Sequence, residues 1–142
     1  MTWATTTAAM DTLVKTLSGM VVSPVVLRAS EAPLRADGAG PVGGHFWIEY
    51  AQVETNGWDH NRVESIQASA VLTFCWSLTP DATTRRAEAM DRANAIRTKL
   101  ANEATATTDL RCTPGGFTLT TTADGALLFV EIPFTLTGAH AL

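Results

Sequence analysis

A chain of 142 residues, 46% hydrophobic and 17% charged, is long enough to bury about two-thirds of the surface its unfolded form exposes and lies outside the disordered class. Its 14 acidic and 10 basic residues give a net charge of −4 with no block of either sign, so the basic patch needed to grip DNA phosphates is not visible. No apolar run approaches the ~20 residues that span a bilayer, and the start Met1-Thr2-Trp3-Ala4 lacks a basic segment leading into an apolar core; the expectation is synthesis in the cytoplasm, no signal peptide and no membrane partner.

The first element is a helix within residues 4–18, where Met10, Leu13, Val14 and Leu17 follow the i, i+3, i+4, i+7 pattern of one apolar face and Gly19 supplies the stop. Val25-Val26-Leu27 is a short strand after Pro24. Residues 30–44 hold four glycines and two prolines, so neither helix nor strand can propagate there. A loop of that length in a compact domain is either functional or disordered. If it is functional, Leu34, Arg35, Asp37 and Val42 are its candidate interface residues, anchoring once a partner covers them.

His45 to Val53 reads as a strand with Phe46, Ile48 and Tyr50 on one face. Residues 54–64 read as a polar connection built around the Asn56-Gly57 turn signal. The next strand, Ser65–Thr79, alternates Ile66, Ala68, Ala70, Leu72, Phe74 and Trp76 against Gln67, Ser69, Val71, Thr73, Cys75 and Ser77, which puts the first set on a core. Thr79-Pro80-Asp81 opens a helix over Ala82–Asn102: threonine caps, proline takes the first turn, aspartate meets the positive dipole end. Ala89, Ala93, Ile96 and Leu100, with Met90 beside them, form its apolar stripe, and Arg85, Glu88, Arg92, Arg97 and Lys99 its solvated side. A short strand around Leu110-Arg111-Cys112 ends at Pro114-Gly115-Gly116. A hairpin over Phe117–Thr137 turns at Ala123-Asp124-Gly125 and returns with Leu128, Val130, Ile132, Phe134 and Leu136 on one face. Pro133, without an amide hydrogen, places that return strand at an edge or a bulge. The order is α+β: a mainly antiparallel sheet with two helices packed on it, in one domain over residues 1–142.

The chemistry-bearing residues do not converge. Nucleotide-binding glycine motifs, zinc spacings and nucleophile elbows are absent from the sequence. Trp58-Asp59-His60-Asn61-Arg62 is the best candidate, but Asp59 and His60 lack partners: His45 lies elsewhere, and His140 sits at a chain end expected to fray. A polar turn or interface loop explains them better. Trp58 either folds back onto the core, the favoured reading, or awaits a partner as an interface anchor. Glu49 and Glu131, each on the polar side of its strand, read as solvated carboxylates. Cys75 and Cys112 read as small buried hydrophobes within strands. No catalytic, cofactor-binding or metal-binding residue is assigned.

Taken together, the elements resemble a known family. An N-terminal helix, a short strand and a long loop are followed by two long strands, His45–Val53 and Ser65–Thr79. A helix over Ala82–Asn102 and a C-terminal hairpin over Phe117–Thr137 complete the plan. With the run Ser65-Ile66-Gln67-Ala68-Ser69-Ala70-Val71-Leu72-Thr73-Phe74 leading into Thr79-Pro80-Asp81, this is similar to bacteriophage tail terminator and tail-completion proteins of the siphophage or myophage neck. The likeness covers nearly the whole chain but rests on element order and size, so no residue role is carried over. It implies a virion protein, not an enzyme: a homo-hexameric ring bound to the tail tube protein at the tube's head-proximal end. Such a ring stops tube polymerisation, offers its other face to head-completion proteins and lets DNA pass through its lumen. The rival readings are another neck or tail-tube protein, and a small ligand-binding or enzymatic α+β domain using the 54–64 connection.

Overall fold

The computed structural model describes the backbone at residues 14, 17–22, 25–35, 43–58, 63–106 and 111–141, with the side chains at 21–22, 25, 53–58, 63–66, 103–106 and 139–141 left out. Three short strands come first: β1 (Val21–Val22), β2 (Val25–Val26) and β3 (Arg28–Ala29). Then follow two long ones, β4 (His45–Trp58) and β5 (Val63–Ser77), the helix α1 (Ala82–Ala106), and β6 (Arg111–Pro114), β7 (Thr118–Thr121) and β8 (Leu127–Ala141). The result is a sheet-dominated α+β fold. The backbone of one helix is described throughout; of the expected first helix, residues 4–18, only Val14, Leu17 and Ser18 lie among the described residues. Val14 and Leu17 are helical, Ser18 N–H donates to the Val14 carbonyl at 2.9 Å, and Gly19 follows at φ 97°.

The main sheet runs β3-β4-β5-β8-β6, with β7 also paired to β8. Only β3–β4 is parallel; the other pairs are antiparallel. All of β5 pairs with all of β8, from Val63↔Ala141 to Ser77↔Leu127, without a register shift. His140 is therefore laddered opposite Glu64 and is not in a frayed end.

The alternation read from β5 sets its register. Ala68, Ala70, Leu72, Phe74 and Trp76 are buried in one cluster with Ile96 and Leu100 of α1 and with Leu128, Val130, Ile132, Phe134 and Leu136 of β8; Ile66 is among the undescribed side chains. Ala89 and Ala93, fully buried, let the helix backbone approach the sheet, whereas Met90 is exposed. Phe46 joins this core and Ile48 packs against it, but Tyr50 is exposed, next to a register shift between Tyr50 and Gln52 that makes Ala51 an extra residue.

Several expectations are corrected. Residues 54–58 belong to β4 instead of a polar connection, and Asn56-Gly57 lies in a second bulge between the pairs Thr55↔Ile66 and Trp58↔Glu64. A glycine step that suits a turn also suits a bulge, and cross-strand pairing chose the latter. The cap of α1 is Asp81, not Thr79: Asp81 Oδ1 accepts the Thr83 and Thr84 amides at 3.1 and 3.4 Å, and Thr84 Oγ1 donates to its other oxygen at 2.9 Å. Pro80 thus precedes the helix instead of occupying its first turn. Pro133 is at neither an edge nor a bulge, because β8 is flanked by β5 on one side and by β6 and β7 on the other. It sits at the gap between β6 and β7, where its carbonyl accepts the Gly115 amide at 2.7 Å. The missing N–H costs little where the neighbouring strand is interrupted.

Candidate functional site

The face of the sheet opposite α1 is not uniformly polar. At its β3 end Cys75 and Phe129 are fully buried beneath Leu34, with Trp47 and Leu127 packed around them. Leu34 reaches this position because the chain on both sides of it is tied to the sheet: Ser30 N–H donates to the Phe46 carbonyl at 2.7 Å and Gly43 N–H to the Cys75 carbonyl at 3.0 Å. Gly43 and Gly44 have φ of 69° and 74°, a conformation that side chains with a Cβ resist. Leu34, expected to wait for a partner, is thus already only 5% exposed within its own chain, because it packs over Cys75 and Phe129 on the sheet. Arg35 is exposed. Asp37, Val42, Asp59 and His60 lie outside the described residues, and of Trp58 only the backbone, in β4 opposite Glu64, is described.

Among the described residues, none covers the remainder of this face. It carries exposed Glu49 and Glu131, with half-buried Gln67, Ser69, Thr135 and Thr137 between them. A shallow trough of about 320 Å³ runs across it, lined by Ala51, Ser69, Val71, Thr113, Pro133 and Thr135 among others. Glu49 lies opposite Val71, which pairs with Pro133, and Glu131 lies opposite Thr73, which pairs with Trp47. The two carboxylates therefore stand on strands separated by β5, roughly 10 Å apart at the backbone, too far to share a proton. Glu49 accepts the Trp47 indole N–H at 3.3 Å. His45 places Nδ1 3.3 Å from the Gly43 carbonyl. Among the described residues no three His, Cys, Asp or Glu side chains gather as metal ligands, and no helix is long and apolar enough to cross a membrane.

The charged side of α1 departs most from its sequence reading. Arg92 is 7% exposed, and its guanidinium lies 4.2 Å from the Trp76 ring centroid, with that of Arg85 at 4.5 Å. Arg85 also donates from Nε to the Ser77 carbonyl at 2.8 Å and pairs with Glu88 at 2.7 Å, while Arg92 Nη1 donates to the Glu88 carbonyl at 3.2 Å. Burial pulls the Arg92 pKa below its ordinary value, a shift that Glu88 opposes. Arg86 reaches Thr121 Oγ1 at 3.1 Å and Arg97 reaches the Gly115 carbonyl at 2.6 Å. These arginines are clamps holding the helix to the strand ends. The signal available in sequence was the i, i+3, i+7 spacing of Arg85, Glu88 and Arg92, which puts all three along one helix flank.

The sheet ends in two edges. On one, β4 pairs outward only with β3, at His45 and Phe46, among the described residues. On the other, β6 and β7 pair only inward, with β8, among the described residues. No protein-family model matches this chain, and no curated protein matches it.

Proposed function

We propose that this chain is a structural virion protein, a tail-terminator-like subunit that closes into a homo-hexameric ring on the head-proximal end of a phage tail tube. The ring stops tube polymerisation, presents its other face to the head-completion proteins and leaves a lumen through which DNA passes. No catalytic group is assigned to it. The observation that carries the reading is that, among the described residues, the sheet ends in two unlike edges, the 14-residue β4 with β3 on one side and the 4-residue β6 and β7 on the other. Such edges are templates for another chain, and a subunit with two different edges suits heterologous, ring-closing contacts. The order of strands, helix and final hairpin also follows the family plan. An open face carrying Glu49 and Glu131 among hydroxyl side chains suits a surface that DNA passes without sticking.

Imaging of intact tails at subnanometre resolution tests the proposal. A ring of this chain at the head-proximal end of the tube is the expected result. One copy or none at that place overturns it, and a ring elsewhere along the tail assigns the chain to another neck or tube role.

A further inference from the structure

We infer that the depression between β2, β3 and the start of β4 is a binding site for a phosphate group, held by Arg28 and His45. The inference goes beyond the ring reading and does not depend on it.

Strand pairing sets the two side chains next to one another. Arg28 and His45 are partners in the parallel β3–β4 pair, which is secured where Arg28 N–H donates to the Gly44 carbonyl at 2.6 Å. Partners in neighbouring strands point to the same face of the sheet and stand about 5 Å apart at the backbone. Arg28 is exposed and His45 half-buried. The first is a cation, and the second becomes one when its ring takes a second proton. The pair is then doubly positive, and like charges opposite one another are unfavourable unless an anion lies between them. Among the described residues no carboxylate pairs with either side chain, whereas Arg85 on α1 has Glu88.

The space beside them is shaped for such an anion. Among the described residues, Val26, Arg28, Gly43, Gly44 and His45 line a cavity of about 310 Å³, and none of these is acidic. Gly43 and Gly44 both take positive φ, and a Cβ at Gly43 would meet no atom within 4 Å. Their part of the wall is bare backbone, which a ligand can approach closely. His45 Nδ1 lies 3.3 Å from the Gly43 carbonyl. A carbonyl only accepts, so Nδ1 carries the hydrogen, and Nε2 is the nitrogen left for a ligand. A guanidinium fork and a protonated imidazole then offer charge-assisted hydrogen bonds to the several oxygens of a phosphate. By contrast, the trough across the open face is lined by apolar and hydroxyl side chains without a cation.

The phosphate arrives either as the free ion or on a nucleotide chain, and titration of the full chain separates the two. Calorimetry measures inorganic phosphate and a short single-stranded oligonucleotide in turn, while nuclear magnetic resonance follows the Gly43 and Gly44 amides and the His45 ring. Binding is expected, with shifts centred on those three residues. Arg28→Gln and His45→Gln should each weaken it about tenfold, the loss of one charge-assisted hydrogen bond. Arg111→Gln, at the opposite edge of the sheet, should leave it unchanged. Binding of inorganic phosphate at least as tight as that of the oligonucleotide assigns the free ion; tighter binding of the oligonucleotide, with the same dependence on Arg28 and His45, assigns a nucleotide phosphate. No binding of either at millimolar concentration overturns the site. So does binding that Arg28→Gln or His45→Gln leaves unchanged, or that Arg111→Gln weakens as much, since that marks diffuse attraction. Circular dichroism checks each fold, and if Arg28→Gln fails to fold, Arg28→Met, which keeps the aliphatic stem, replaces it with the same two outcomes.

Discussion

Arg92 of α1 and Trp76 of β5 stack with 4.2 Å between guanidinium carbon and ring centroid, and both are more than nine-tenths buried. The contact fixes the helix against the far end of the strand. A planar guanidinium sheds its hydration more readily than an ammonium and lies flat on an indole face, which is why arginine fills this role better than lysine.

The pair should therefore be coupled energetically. In a double-mutant cycle of Arg92→Met and Trp76→Leu, chemical denaturation should give a coupling of about 1–2 kcal/mol, the range for a desolvated cation–π contact. Additive effects would mean that Arg92 contributes only the packing of its aliphatic stem.

Leu34 is expected to stabilise the free chain. Leu34→Ala opens a cavity over Cys75 and Phe129 and should cost about 2 kcal/mol or more in urea denaturation. If stability is unchanged while assembly fails, Leu34 is an anchor for a partner after all.

Burial pushes the thiols of Cys75 and Cys112 up to about 11. With so little thiolate at pH 8 and both side chains buried, neither should react with a maleimide in the native state, while both should react within minutes in denaturant. Mass spectrometry counts the adducts. Prompt native labelling of Cys75 would mean that the cover formed by Leu34 opens readily.

Asp81 tests the cap. Hydrogen bonds from Thr84, first its hydroxyl and then its amide, hold the Asp81 carboxyl below its ordinary pKa. A depressed folded-state pKa means that the ionised cap contributes in full above the unfolded-state value and is lost as pH falls through the folded one. Thermal melts of wild type and Asp81→Asn should differ at neutral pH and converge in strong acid, since asparagine caps without the charge. Asp81→Ala should be less stable than either at neutral pH. A difference between wild type and Asp81→Asn that does not change with pH would place the effect elsewhere.

The amino-acid sequence by itself determined the elements whose periodicity is strong and local. Alternation from Ala68 to Trp76 and from Leu128 to Leu136 fixed the core faces of β5 and β8, because a one-residue slip would have exposed every one of those side chains. The stripe Ala89, Ala93, Ile96 and Leu100 oriented α1 for the same reason. The candidate site was less legible. Its residues are polar or singly apolar, and no period marks them; Leu34 in a glycine-rich loop reads like any exposed leucine until the sheet beneath it is known.

Tertiary structure alone decided what depends on neighbours distant in sequence. Whether Asn56-Gly57 turns or bulges depends on the ladder that β5 offers to β4. Whether Pro133 marks an edge depends on where β6 and β7 break beside it. Arg92 became a buried clamp because Trp76, sixteen positions earlier, arrives under the helix only once the sheet has formed. Arg28 and His45, on either side of the long glycine-rich loop, stand in one row only because β3 pairs in parallel with β4. Local chemistry chooses helix or strand, but pairing partners and the second face of a sheet are set by long-range contacts, which one-dimensional periodicity does not encode.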